Sequence, residues 1–282
     1  MLTIISLLVV FTFTNALNQL SFSGGGAFGA VEIGILKRIH QQSYDLYTGV
    51  SAGALNAGLL SYFDNLWLGV KTAETIYTEM KTRMVYELLP NTGISLLNTA
   101  PLYKTLSSII DNMDGNPVVH TLIGTTNIYS GNLDVYDFQD SEDKVDLLMA
   151  SSAIPVAFPP IKFNGDLYAD GGTLSNELLL VNTSADYLNI TYITPHEGYV
   201  YDDTPITSTK EMAERTLKII YTNFNNPLAT LNQDCSKPRG EINKYYVDSQ
   251  LLKGYSMLDF DKGSELIQIG YNNVETKKYK IC

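Results

Sequence analysis

Residues that build metal centres are scarce in this chain. Three histidines and two cysteines are spread over 282 residues, with no His-Glu-x-x-His and no Cys-x-x-Cys. The common zinc patterns are therefore missing. Asp111-Asn112-Met113-Asp114-Gly115 has the look of a calcium loop, but its first and last ligand positions fall on Ile110 and Thr121. Neither carries the carboxylate such a loop needs. No metal and no cofactor is expected. Basic residues are few as well: 19 Lys+Arg stand against 30 Asp+Glu, for a net charge of −11. That field repels nucleic acid and strongly anionic bilayers, so no nucleic-acid partner is expected. The one basic run, Lys277-Lys278-Tyr279-Lys280, reads as a solvated tail. With 45 % apolar and 17 % charged residues, a disordered chain is excluded. Trp67 is the only tryptophan beside 19 tyrosines, an excess with no functional explanation.

Long apolar runs are missing too, except at the start. Met1 to Phe13 is mostly apolar but shorter than the ~20 residues a membrane-spanning helix needs. Thr14-Asn15-Ala16 follows with a small-residue cleavage point. The segment 1–16 reads as a secretory signal peptide, although no Lys or Arg precedes it; the alternative is a buried first strand. The expectation is a single domain over 17–282, in the secretory lumen or outside the cell. The alternative is a cytoplasmic protein peripheral to membranes. Cys235 and Cys282 then either pair or remain two thiols. Asn182-Thr183-Ser184 and Asn189-Ile190-Thr191 match glycosylation acceptors, which matter only in that compartment.

Leu17 to Ser23 alternates like a strand and enters Gly24-Gly25-Gly26-Ala27-Phe28-Gly29. Val31, Ile33, Ile35, Leu36 and Ile39 then form a helical stripe, with Lys37 and Arg38 where the helix dipole favours cations. A second strand over 44–48 reaches Gly49-Val50-Ser51-Ala52-Gly53 and a helix of small residues. This order predicts an α/β fold with a mostly parallel central sheet flanked by helices. Phe63, Leu66, Trp67 and Val70 fall at helical spacing and read as core, or else as a membrane-contact face. Residues 118–129 read as a strand. Asp140 is the expected cap of a helix from Ser141 to about Ser152. Asn164-Gly165 marks a hairpin that ends at Asp170-Gly171-Gly172, and 187–194 is one more strand.

Three motifs carry chemistry. Gly49-x-Ser51-x-Gly53 between strand and helix forces a sharp turn that presents the Ser51 hydroxyl. The N–H groups of the 24–29 loop, at a helix start, converge on one anion such as the oxyanion of acyl transfer. The same loop satisfies Gly-x-Gly-x-x-Gly, and Asp45 lies near the ribose-binding spacing, so a nucleotide-binding oxidoreductase stays open. Asp170-Gly171-Gly172 alone reads as a β-turn.

Taken together, these motifs resemble the patatin-like phospholipase family. The stretch Ala150-Ser151-Ser152-Ala153-Ile154-Pro155-Val156-Ala157-Phe158-Pro159-Pro160 resembles the family's segment ahead of its catalytic Asp, and the resemblance is strongest over 20–176. It implies a lipid acyl hydrolase with Ser51 as nucleophile and Asp170 as base of a Ser–Asp dyad. It also implies an oxyanion loop of Gly24, Gly25, Gly26 and Gly29, an elbow framed by Gly49 and Gly53, and an Asp motif completed by Gly171 and Gly172. The expected substrate is a phospholipid or galactolipid, reached by peripheral contact with membranes or lipid aggregates. Two positions depart from the family's habit: Phe28, where Arg is common, and Glu177, near a common Pro.

A carboxylate is a weak base in water and becomes a better one when desolvated. It must then lie within about 3 Å of the serine it activates. The order Ser51, Asp170, His196 also fits a histidine triad, an alternative mechanism. A lipid-binding or storage protein without catalysis is a further alternative, disfavoured by the presence of both Ser51 and Asp170.

Overall fold

The computed structural model describes residues 16–39, 43–88, 93–181, 184–198, 205–208, 211–212, 215–216, 219 and 238–282. The apolar start, Asn182 and Cys235 lie outside these residues. β1 (Ala16–Phe22) runs through the glycine loop and a 3-10 turn (Gly26–Phe28) into α1 (Gly29–Ile39). β2 (Leu46–Val50) passes into α2 (Ala52–Leu60), and α3 (Leu66–Glu79) follows. A hairpin of β3 (Glu87–Leu88) and β4 (Leu97–Asn98) precedes α4 (Ala100–Asp111). Then come β5 (His120–Asn127), β6 (Leu133–Asp137), α5 (Lys144–Ser151), β7 (Ile161–Phe163) and β8 (Asp166–Asp170). The described chain closes with β9 (Tyr187–His196), β10 (Gly240–Val247), α6 (Gly263–Asn272) and β11 (Glu275–Ile281).

The fold is α/β. One sheet runs in the order β11-β10-β9-β1-β2-β5-β8-β7, with β6 also on β5. Neighbours from β10 through β9, β1 and β2 to β5 are parallel, and β11, β6, β8 and β7 join antiparallel. β1 and β2 are buried along nearly their whole length, as a parallel sheet covered on both faces requires. Leu20 and Phe22 enter the larger core with Val31, Ile35, Ala54 and Ile267 of the helices. Leu17 enters a smaller core on the other face with Leu178, Leu188 and Ile242.

Some local expectations hold and others need correction. Asp143, not Asp140, caps α5, its side chain accepting from Asp146 N at 2.9 Å. The basic tail is no tail: it forms β11, with Tyr279 and Ile281 buried and its lysines facing water. Lysine on an edge strand also discourages pairing with other chains. Phe63 precedes α3 and packs on the core with Leu66; within α3 Val70 is buried, whereas Trp67 is exposed under the Lys71 ammonium. The Asn164-Gly165 turn has φ of 48° and 91°, the two positive values a tight hairpin needs.

Register positions the site. β2 pairs with β5 up to Val50 opposite Gly124, then turns away. The next β5 residue, Thr125, pairs with Asp170 of β8. Because β6 holds the other edge of β5 over this stretch, β8 occupies the edge β2 has vacated. β8 runs antiparallel to β5 and β2 parallel, so their C-terminal ends meet head-on. Ser51 and Asp170 are the residues at that meeting.

Candidate active site

Ser51 has φ 54° and ψ −129°, backbone values rare for a residue with a side chain. Such strain at a strand-to-helix turn holds the hydroxyl out of both elements. The flanking glycines are steric necessities. A Cβ on Gly49 would lie 2.3 Å from Gly53 O, and one on Gly53 would lie 2.3 Å from Ser23 O. Ser51 N donates to Ser151 Oγ at 3.0 Å, and that hydroxyl donates to Gly124 O at 2.8 Å. Ser151 thus ties the elbow to β5. It sits in the Ala150–Pro160 stretch, but nothing in the sequence told this serine from its neighbour.

Asp170 is fully buried. Its N–H donates to Ala153 O at 2.9 Å, and its Oδ1 accepts from Gly172 N at 2.7 Å. A Cβ on Gly171 would meet Gly124 O at 2.3 Å, so the turn beyond Asp170 lies flat on β5. Burial pushes the Asp170 carboxyl up to about 7, against the opposing pull of the Ser51 hydroxyl and the Gly172 N–H. Its Oδ2 makes no hydrogen bond of good geometry. The hydroxyl and carboxyl are therefore adjacent without being locked together.

The glycine loop passes over Ser51. A Cβ on Gly24 would lie 2.8 Å from Ser51 Cβ. Asn176, six residues past Asp170, accepts from Gly24 N at 3.0 Å and donates to Gly24 O at 3.2 Å. The Gly24 N–H is thus engaged and not aimed at an anion. Gly25 and Gly26 open the 3-10 turn, where the first N–H groups lack intrahelical acceptors. Ala27 N anchors the turn to Met257 O at 2.8 Å. Gly29 begins α1, and its carbonyl accepts from Asn56 Nδ2 at 3.1 Å. Beneath the loop, buried Glu32 accepts from Ser23 N at 3.0 Å, Ser23 Oγ at 3.1 Å and Asn56 Nδ2 at 3.0 Å. Desolvation holds its carboxyl well above the usual carboxylate range. Neither Asn176 nor Glu32 stands out in the sequence, because each recognises backbone or neighbours that only folding brings near.

The family model of patatin-like phospholipase matches residues 20–181. The chain belongs to the patatin-like phospholipase family. Solved structures similar to this patatin-like chain include VipD from Legionella pneumophila, 11 % identical over 92 % of this chain and 68 % of that one, with a TM-score of 0.44. The ExoU–SpcU complex of the Pseudomonas aeruginosa type III secretion system is 10 % identical over 94 % of this chain and 54 % of that one, at a TM-score of 0.34. The type III effector ExoU is 12 % identical over 93 % and 55 %, at 0.35. The chain spans about half the length of these two. No curated protein matches it.

Other candidate residues of this patatin-like chain fall elsewhere. Asp45 precedes β2, at the opposite end of the sheet from the glycine loop, and its Oδ2 accepts from Asn18 N at 2.9 Å. A ribose-binding carboxylate belongs at the C-terminal end of that strand, so the nucleotide reading fails on position. His196 ends β9, with its Nδ1 2.9 Å from Gly198 O. Phe28 is buried, edge-on to the His196 ring at 6.3 Å. Glu177 is pushed up to about 7 by burial, with Lys244 pulling the other way. Asn189 sits in β9 between two neighbouring strands, its amide donating to Asn18 Oδ1 at 3.2 Å. Among the described residues no cluster of His, Cys, Asp and Glu is arranged to hold a metal.

Proposed function

We propose that this protein hydrolyses fatty-acyl esters of phospholipids or related lipids such as galactolipids through a Ser51–Asp170 dyad. The carrying observation is the head-on meeting of β2 and β8, which sets a strained serine against a buried carboxyl of pKa about 7. Ser51 Oγ attacks the ester carbonyl carbon while Asp170 takes the hydroxyl proton. The N–H groups of Gly25, Gly26 and Ala52 receive the oxyanion, and the Asn176 clamp holds the loop that carries the first two. The leaving alkoxide takes the proton from Asp170 as the C–O bond breaks, leaving Ser51 acylated. Water then attacks the acyl carbon, Asp170 accepts its proton, and release of the acid returns Ser51 to its hydroxyl form.

The test is incubation of wild type and Ser51→Ala with phospholipids, galactolipids and triacylglycerols, with identification of the released acids. Wild type is expected to release acid, resist EDTA and label with a fluorophosphonate; Ser51→Ala is expected to do neither acid release nor labelling. His196→Ala is expected to keep its rate within about threefold, whereas a loss near 10⁴-fold would restore the triad.

A further inference from the structure

The β3–β4 hairpin carries apolar side chains that the protein leaves in water. Leu88 is 76 % exposed and Ile94 80 %. Val156, 61 % exposed, lies in the adjacent run. Its carbonyl accepts from Leu96 N at 2.9 Å, and the Ala157 carbonyl accepts from Leu97 N at 3.0 Å. Leu97 pairs with Leu88, so the turn that carries Val156 lies beside the hairpin on the β4 side. Val156 also has φ 69°, which a β-branched residue rarely adopts. A strained backbone that points an apolar side chain into solvent serves no packing purpose here.

Charge singles out the same surface. No charged residue lies between Glu87 and Lys104, or between Asp146 and Lys162, in a chain of net charge −11. At the hairpin's base Lys81 and Arg83 stand with Glu87 and Asp261, and their charges cancel. The hairpin and the Val156 turn therefore add no acidic charge of their own against an approaching lipid surface. The tip also flanks both halves of the candidate site. Ala153, three residues before Val156, holds Asp170 N through its carbonyl. Tyr86, just before β3, donates to Leu258 O at 2.9 Å, and the preceding carbonyl, Met257 O, anchors Ala27 of the glycine loop.

We infer that Leu88, Ile94 and Val156 form the surface that seats this protein on a zwitterionic lipid bilayer, with the Ser51 site at the interface; the role of that seating rests on the proposed hydrolase reading. Partial burial of an apolar tip at the headgroup level is the physical basis. Trp67 lies at the start of α3, ~20 Å along the helix axis from the end that leads on to the hairpin.

The experiment is sedimentation with phosphatidylcholine vesicles, using Ser51→Ala as the non-hydrolysing parent. That parent is expected to co-sediment with unchanged Trp67 fluorescence. Adding Leu88→Asp and Ile94→Asp is expected to reduce partitioning at least tenfold, and Leu88→Ser with Ile94→Ser to reduce it less. In the Ser51-containing protein the same pairs are expected to lower hydrolysis of vesicle lipid by a similar factor. Hydrolysis of a soluble short-chain ester is expected to stay within twofold. Equal partitioning of parent and variants, no partitioning of the parent, a Trp67 shift, or self-association through the tip in place of vesicle binding each overturns the inference. Vesicle binding that needs the tip, in a protein that hydrolyses no ester, overturns the hydrolase reading and leaves the docking surface standing.

Discussion

The side-chain amide of Asn176 pairs with both backbone groups of Gly24, accepting at 3.0 Å from its N–H and donating at 3.2 Å to its carbonyl. Gly24 in turn touches Ser51, so this one amide sets the height of the glycine loop above the serine. Asn176→Leu removes both bonds and is expected to lower kcat roughly 10- to 100-fold, the range for misplaced oxyanion donors. KM is expected to change little, because the loss falls on the transition state. Asn176→Asp keeps an acceptor for the N–H but places an oxygen against Gly24 O, and is expected to fall between the two. Steady-state kinetics on a soluble ester check the order.

The Asp170 carboxyl at about 7 fixes the sign of two pH effects. As a base it works only when ionised, so kcat/KM is expected to rise with pH and reach half its plateau near pH 7. Stability runs the other way. The folded protein holds the Asp170 proton through a window, from about pH 4 to about pH 7, in which the unfolded chain has released it. Stability from this group therefore falls as pH rises across that window, by ~4 kcal/mol in order of magnitude. Asp170→Asn keeps the Gly172 bond and removes the charge. It is expected to be inactive, and to be more stable than wild type at pH 8 but not at pH 4, as urea unfolding at both values will show.

The legible parts of this chain were those written in local backbone chemistry. Gly49, Gly53 and the Asn164-Gly165 turn are demanded by close approach or positive φ, and they stood in the sequence where the structure uses them. The parallel order β1-β2 followed from the two strand–loop–helix units. Contacts made only by folding stayed hidden: Ser151 on Ser51, Asn176 on Gly24, Glu32 beneath the loop. β11 was misread because an edge strand faces water on most of its surface and shows burial only at Tyr279 and Ile281. β3 and β4, two residues each, are too short for any period to register.

Glu32 offers a test of the network under the loop. Its Oε1 receives both Ser23 donors, and its Oε2 receives Asn56 Nδ2. Asn56 cannot turn over without cost, because Tyr77 donates to its Oδ1 at 2.9 Å while its Nδ2 also serves Gly29 O. A glutamine at this position has a single acceptor oxygen and must set its own N–H groups against one of these donors. Glu32→Gln is therefore expected to cost ~1–3 kcal/mol despite its matching shape. Glu32→Ala, which also leaves a void, is expected to cost more. Urea midpoints at unchanged m-value give both numbers.

The elbow glycines separate steric need from conformational need. Gly115 has φ 75° and open space around it, so Gly115→Ala carries only the left-handed penalty, about 1–2 kcal/mol. Gly49 lies inside β2, and a Cβ there would stand 2.3 Å from Gly53 O, 2.5 Å from Gly53 C and 2.7 Å from Ala54 N. All three are backbone atoms of the turn that carries Ser51, and no side-chain rotation relieves them. For Gly49→Ala to fold, α2 must back away from β2, which would move Ser51 relative to Asp170 on the separate strand β8. Gly49→Ala is thus expected either to fail to fold or to fold with kcat reduced more than 100-fold, whereas Gly115→Ala is expected to keep full activity. Circular dichroism melting together with ester hydrolysis distinguishes the outcomes, and a Gly49→Ala protein with wild-type melting and wild-type rate would contradict the elbow geometry.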